Sequence, residues 1–143
     1  MIERYLLWID DDQELLDHAV SRLRENGILV RVEPNVDRAV ELLESEREKM
    51  LGVLVDLMMD PGTMIDSEAA QQGYETGFRL LDYMQSKSIS LEKVLIFTNS
   101  QVESKSYRPR GCKTNVKIQR KSRYKGIKFL EFVKKEFVVG SEG

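Results

Sequence analysis

The chain has one cysteine, Cys112, and one histidine, His18, in 143 residues. A single cysteine excludes an internal disulfide framework, and the two residues together exclude a Cys/His zinc site. His18 lies near the polar side of a helix-like stretch, so it reads as a surface histidine rather than a catalytic one. No apolar run approaches the ~18 residues of a membrane span. Met1-Ile2-Glu3-Arg4 leads directly into strand-like sequence without the layout of a signal peptide. These absences point to the cytoplasm. Internal repeats and low-complexity segments are also lacking, and there are only three prolines.

What is present is one domain's worth of chain, with 41% apolar and 32% charged residues, enough to bury a core and remain well solvated. The net charge is only −2, yet it is divided unevenly. Residues 1–104 have 10 Lys/Arg against 21 Asp/Glu, a balance of −11, whereas residues 105–143 have 12 against 3, a balance of +9. Such segregation gives two electrostatically different faces.

The most informative stretch is Leu6-Leu7-Trp8-Ile9-Asp10-Asp11-Asp12. Its apolar half reads as a strand buried on both faces, as in a parallel sheet. Three adjacent carboxylates repel one another unless a cation sits among them. Mg²⁺, which binds through one or two carboxylates, a phosphate and waters, fits that need. A plainer alternative stays open: Asp12 caps the next helix and the other two acids are solvated.

The rest of the chain alternates in type. Residues 13–26 place Leu15, Leu16, Ala19, Val20 and Leu23 on one helical face, with Gly27 as the stop. Ile28 to Glu33 reads as a second strand, and Asn35 as the N-cap of a helix with Val36, Ala39, Val40, Leu42 and Leu43 in its stripe. Met50 to Met59 reads as a third strand, whose buried core Gly52-Val53-Leu54-Val55 ends in Asp56. Residues 60–76 are polar and too long for an ordinary connection, so they form an enlarged loop. Phe78 to Met84 is a third helix, and Lys93 to Phe97 a fourth strand ending in Thr98-Asn99-Ser100. Pro109, Gly111 and several serines leave room for a short or irregular fourth helix at best. Val116 to Arg120 is a fifth strand followed by Lys121, and Ser122 is the expected cap of a closing helix through Phe137. Residues 138–143 read as a frayed tail.

Five strands alternating with helices or loops predict a single α/β domain with a parallel sheet. Parallel strands end on the same edge, so Asp10-Asp11-Asp12, Asp56, Thr98 and Lys121 can converge there. Together they suit one chemistry. Acids hold Mg²⁺, a further carboxylate attacks phosphorus, and a hydroxyl and an ammonium stabilise the phosphoryl oxygens.

Here the chain resembles the receiver domain of two-component response regulators. The resemblance rests on Trp8-Ile9-Asp10-Asp11-Asp12, Leu54-Val55-Asp56-Leu57-Met58-Met59, Ile96-Phe97-Thr98 and Arg120-Lys121, and covers residues 4–137. It implies a flavodoxin-like fold, with five parallel strands in the order 2-1-3-4-5 and helices on both faces, the fourth helix short or irregular. The whole of 1–143 would be one receiver domain, standing alone or as a piece of a longer chain. By the same resemblance Asp56 is the phosphoacceptor. Asp11 ligates Mg²⁺, Asp10 acts through metal-bound water, and the backbone carbonyl of Met58 adds a ligand. Thr98 bonds the phosphoryl group and Lys121 pairs with it. Asp12 serves only as a helix cap.

The resemblance implies a phosphorylatable switch in a phosphorelay, catalysing only its own aspartyl phosphorylation and dephosphorylation. The donor would be a histidine kinase or phosphotransfer protein. A downstream acidic protein would dock on the basic 105–128 region, with nucleic acid disfavoured because few aromatics interleave the cations. Several positions depart from the family pattern. Asp60 intervenes before Pro61, Ser122 replaces a proline, Asn99 replaces a small residue, and Ile118 stands where an aromatic switch residue is usual. Two alternatives remain: a receiver-like binding module that is never phosphorylated, and an α/β phosphohydrolase.

Overall fold

The computed structural model describes residues 3–138, without the side chains of residues 13–15. The expected apolar contact of Leu15, and the expected tail from residue 139 onward, lie outside the described residues. The elements are β1 (Tyr5–Ile9), α1 (Gln13–Glu25), β2 (Leu29–Glu33), α2 (Val36–Glu46), β3 (Met50–Val55), α3 (Thr76–Ser86), β4 (Val94–Thr98), β5 (Ser106–Tyr107), β6 (Val116–Arg120) and α4 (Ile127–Val133). A π-helical stretch, Lys134–Val138, prolongs α4. The sheet order is β2-β1-β3-β4-β6-β5, parallel except for the short β5. Its five parallel strands follow the expected 2-1-3-4-5 order.

Alternation along the strands builds a core on each face. Leu7, Ile9, Val53, Val55 and Ile96 face α2 and α3, whereas Leu6, Trp8, Leu54, Leu95 and Phe97 face α1, α4 and the π-helical turn. Gly52 is the one small residue in β3 because Phe137 packs on it. A Cβ there would stand 2.2 Å from the Phe137 ring and 2.7 Å from the Lys93 carbonyl.

Local caps divide between expected and unexpected. Asn35 caps α2, its side chain accepting from the Arg38 amide at 3.0 Å. Asp12 occupies the N-cap position of α1 but makes no side-chain capping bond. Ser122 does not cap the closing helix, because Lys121–Arg123 forms a single 3₁₀ turn and α4 starts only after Gly126.

Between β4 and β6 there is no helix. Residues 99–115 instead fold back so that β5 pairs antiparallel with β6, Tyr107 opposite Val116. Tyr107 anchors this segment to α3. Its ring stacks on Phe78 at 4.3 Å, its hydroxyl donates to Asp82 at 2.7 Å, and Arg79 donates to the same oxygen at 3.1 Å.

The enlarged loop packs into the core on the α2/α3 face, where Ile65 and Ala70 are buried together with Leu57 and Met59 that precede it. Asp37, in the first turn of α2, accepts hydrogen bonds from the amides of Thr63 and Met64 and from the Thr63 hydroxyl. Those bonds hold its carboxyl below the ordinary carboxylate range. The loop is therefore a packed Ω-type structure rather than a free strap.

Candidate functional site

The first, third and sixth strands bring the site together at their carboxyl ends. Asp10 follows β1, Asp56 follows β3, and Lys121 follows β6. Strand pairing fixes their relative height. Ile9 pairs with Val55, Val55 with Ile96, and Thr98 with Arg120, one residue before the lysine.

Carboxylate oxygens of Asp10, Asp11 and Asp56 lie within 4.8 Å of one another. Asp10 is fully buried and Asp56 nearly so, while Asp11 is exposed. Lys121 reaches in from the side, its Nζ 2.5 Å from Asp10 Oδ2 and 3.3 Å from Asp56 Oδ2. The other Asp10 oxygen accepts from the Asp12 amide at 3.0 Å, and Asp56 Oδ1 accepts from the Leu57 amide at 2.7 Å. Asp12 thus contributes its backbone, and its side chain stands apart from the cluster.

The electrostatics follow from crowding. Burial, then the charge of Asp56, pushes the Asp10 carboxyl up to about 6 from an ordinary 3.8, although Lys121 pulls the other way. Burial and Asp56 also raise Asp11. For Lys121, burial alone would lower the ammonium, but Asp56 and Asp10 outweigh it and the net shift is upward. One ammonium cannot satisfy three carboxylates, so the pocket retains an appetite for positive charge. Three hard oxygen donors fit Mg²⁺ in kind and number.

A pH dependence follows with a definite sign. Asp10 holds its proton to a higher pH folded than unfolded, so in chelator the protein loses stability as pH rises from about 4 to about 6. The loss traceable to this group is ~3 kcal/mol at most. Denaturant melts across that range should fall more steeply for the natural protein than for Asp10→Asn.

Thr98 is buried at the end of β4, where its hydroxyl oxygen accepts from the Ser100 amide at 3.1 Å. Met58 is exposed and lines the cleft between Asp11 and Tyr74. Residues beyond the expected set also shape the site. Gly77 begins α3 directly against the acceptor turn: its amide donates to the Leu57 carbonyl at 2.9 Å, and a Cβ on it would stand 2.6 Å from the Asp56 carbonyl. Thr76 donates its hydroxyl to the Met59 carbonyl at 2.6 Å. Local sequence does not single out either residue, because only the third dimension puts α3 against residues 56–59.

No family model and no curated protein matches the chain. Among solved structures, the receiver domain of a response regulator from Francisella superposes with a TM-score of 0.51 at 20% identity, over 71% of this chain and 70% of that one. The likeness is one of fold, that of a receiver domain. This chain has that flavodoxin-like architecture with an enlarged loop after β3 and a β5 hairpin arm in place of a fourth helix. No helix among the described residues is long and apolar enough to cross a membrane.

Proposed function

We propose that the chain is a phosphorylatable signalling switch of the cytoplasm, with Asp56 as phosphoacceptor. The observation that supports this reading is the buried cluster of Asp10, Asp11 and Asp56 with Lys121 bridging two of its members. A carboxylate oxygen of Asp56 attacks the phosphorus of the donor. The bond from phosphorus to the leaving group breaks, and the leaving group departs with the electron pair. Lys121 stabilises the charge that gathers on the phosphoryl oxygens, and the Thr98 hydroxyl is assigned to the same group. Mg²⁺, when held by Asp10, Asp11, Asp56 and the Met58 carbonyl, supplies the charge compensation that lets a carboxylate meet a phosphate.

The reaction modifies the protein itself, and the donor is a histidine kinase or phosphotransfer protein. Output goes through the basic arm. Lys105, Arg108, Arg110, Lys113, Lys117, Arg120, Arg123, Lys125 and Lys128 are all exposed, and none forms an ion pair among the described residues. An acidic protein surface suits that arm. Affinity for DNA or RNA that falls steeply with salt would overturn this assignment of partner. The route from site to arm cannot use an aromatic at position 118, which is Ile118, and Tyr107 is tied to α3 instead.

Calorimetry with beryllofluoride tests the acceptor reading. Binding should need Mg²⁺ and vanish in Asp56→Ala. Within the acidic triplet the roles separate: Asp11→Ala should weaken Mg²⁺ by about tenfold or more, whereas Asp12→Ala should leave it nearly unchanged. Equal losses would place the metal ligands one residue later.

A further inference from the structure

A cavity of about 430 Å³ opens on the α1/α4 face of the sheet, a volume typical of small-molecule sites. Its floor is aromatic. Trp8, Phe97 and Phe129 are buried there, with Trp8 5.9 Å from the Phe97 ring and 5.0 Å from Phe129. Its rim is cationic: Arg22 of α1, Lys125 and Lys121 line it, and no carboxylate does among the described residues. Arg22 reaches far enough that its Nη1 lies 3.3 Å from where a Cβ on Gly126 would stand. Arg22 and Lys125 are exposed and form no ion pair among the described residues.

Trp8 is 2% exposed, and its indole Nε1, itself sealed from solvent, has no hydrogen-bond partner among the described residues. Buried donors are nearly always paired, so this N–H is an exception. It belongs to a residue that lines the cavity.

We propose that this cavity binds a small organic anion with a flat aromatic body. The ring lies over the Trp8–Phe129 floor, where offset or tilted stacking is favourable. The anionic group meets Arg22 and Lys125. Lys121 borders the cavity too, but its ammonium is already engaged by Asp10 and Asp56. The charge recognition therefore belongs to Arg22 and Lys125, and the site is distinct from the phosphoacceptor carboxylates.

The chain's single tryptophan gives a single indole N–H resonance, which makes the test direct. The intact protein, in chelator and without phosphodonor, is titrated with naphthoate and separately with the uncharged naphthamide. Naphthoate should shift the indole resonance saturably, and naphthamide should bind at least about tenfold more weakly, as expected for loss of a charge-assisted contact. The doubly substituted Arg22→Gln, Lys125→Gln protein, whose changes are at exposed positions, should bind naphthoate about as weakly as naphthamide, with an otherwise unchanged spectrum. No saturable shift, equal affinity for the two probes, or undiminished naphthoate binding by the double variant would each overturn the proposal. Because neither Mg²⁺ nor a phosphodonor is present, these outcomes are independent of whether Asp56 is phosphorylated.

Discussion

Lys121→Met is expected to destabilise the metal-free protein by about 3–5 kcal/mol at neutral pH, the range for removing one partner of a buried ion pair. The reason is geometric. The ammonium is the cation in contact with both Asp10 and Asp56, at 2.5 and 3.3 Å, and Asp10 is fully buried. With methionine there, two close carboxylates face each other without compensation. Part of the cost is escaped by protonation, since Asp10 already titrates near 6, so the penalty should shrink as pH is lowered toward 5. Mg²⁺ should restore more stability to the variant than to the natural protein, because the metal no longer shares those oxygens with an ammonium. Phosphorylation should nonetheless slow by ~10²-fold, the effect usual for losing one preorganised donor to a developing oxyanion. Stability that is insensitive to the substitution, with and without Mg²⁺, would mean that the three side chains are not coupled.

Gly77→Ala is the second large effect. Helix propensity alone would favour alanine by about 1 kcal/mol. Packing opposes it more strongly. The new Cβ would stand 2.6 Å from the Asp56 carbonyl oxygen and 2.9 Å from the Leu57 Cα, both backbone atoms that no rotamer change can move aside. Overpacking of this kind costs about 1–3 kcal/mol and sometimes more. A net loss of about 2 kcal/mol in denaturant melts is expected, together with slower phosphorylation, because relief of the clash must shift either α3 or the acceptor turn. A variant more stable than the natural protein would show that α3 is not seated on residues 56 and 57.

The strands and the site were legible in sequence for one physical reason. Strands buried on both faces must be continuously apolar, so Leu6 to Ile9 and Val53 to Val55 stand out, and the first charged residue after each marks the sheet edge. Asp10 and Asp56 follow from that rule, whereas Lys121 stands after a strand marked by alternation, Val116 to Arg120. The segment 99–115 was less legible, because its anchor is a single aromatic, Tyr107, whose partners Phe78, Arg79 and Asp82 lie more than twenty residues earlier. No local periodicity records such a contact. The enlarged loop hid its part in the core for a similar reason, since Met64-Ile65 and Ala69-Ala70 are short apolar pairs in polar sequence. Asp12 and Ser122 were misjudged as caps because propensity names residues that can cap, whereas tertiary geometry decides which of them do. Asp12 turns its amide toward Asp10 instead, and Ser122 falls within a 3₁₀ turn that lengthens the approach to α4.

The acceptor chemistry of Asp56 is the central claim, and incubation with acetyl phosphate tests it most directly. In the presence of Mg²⁺ the protein should gain one acid-labile phosphoryl group, mapped by fragment mass to Asp56, with none formed in chelator and none in Asp56→Ala. No adduct on a protein shown to bind Mg²⁺, or an adduct that persists in Asp56→Ala, would contradict it.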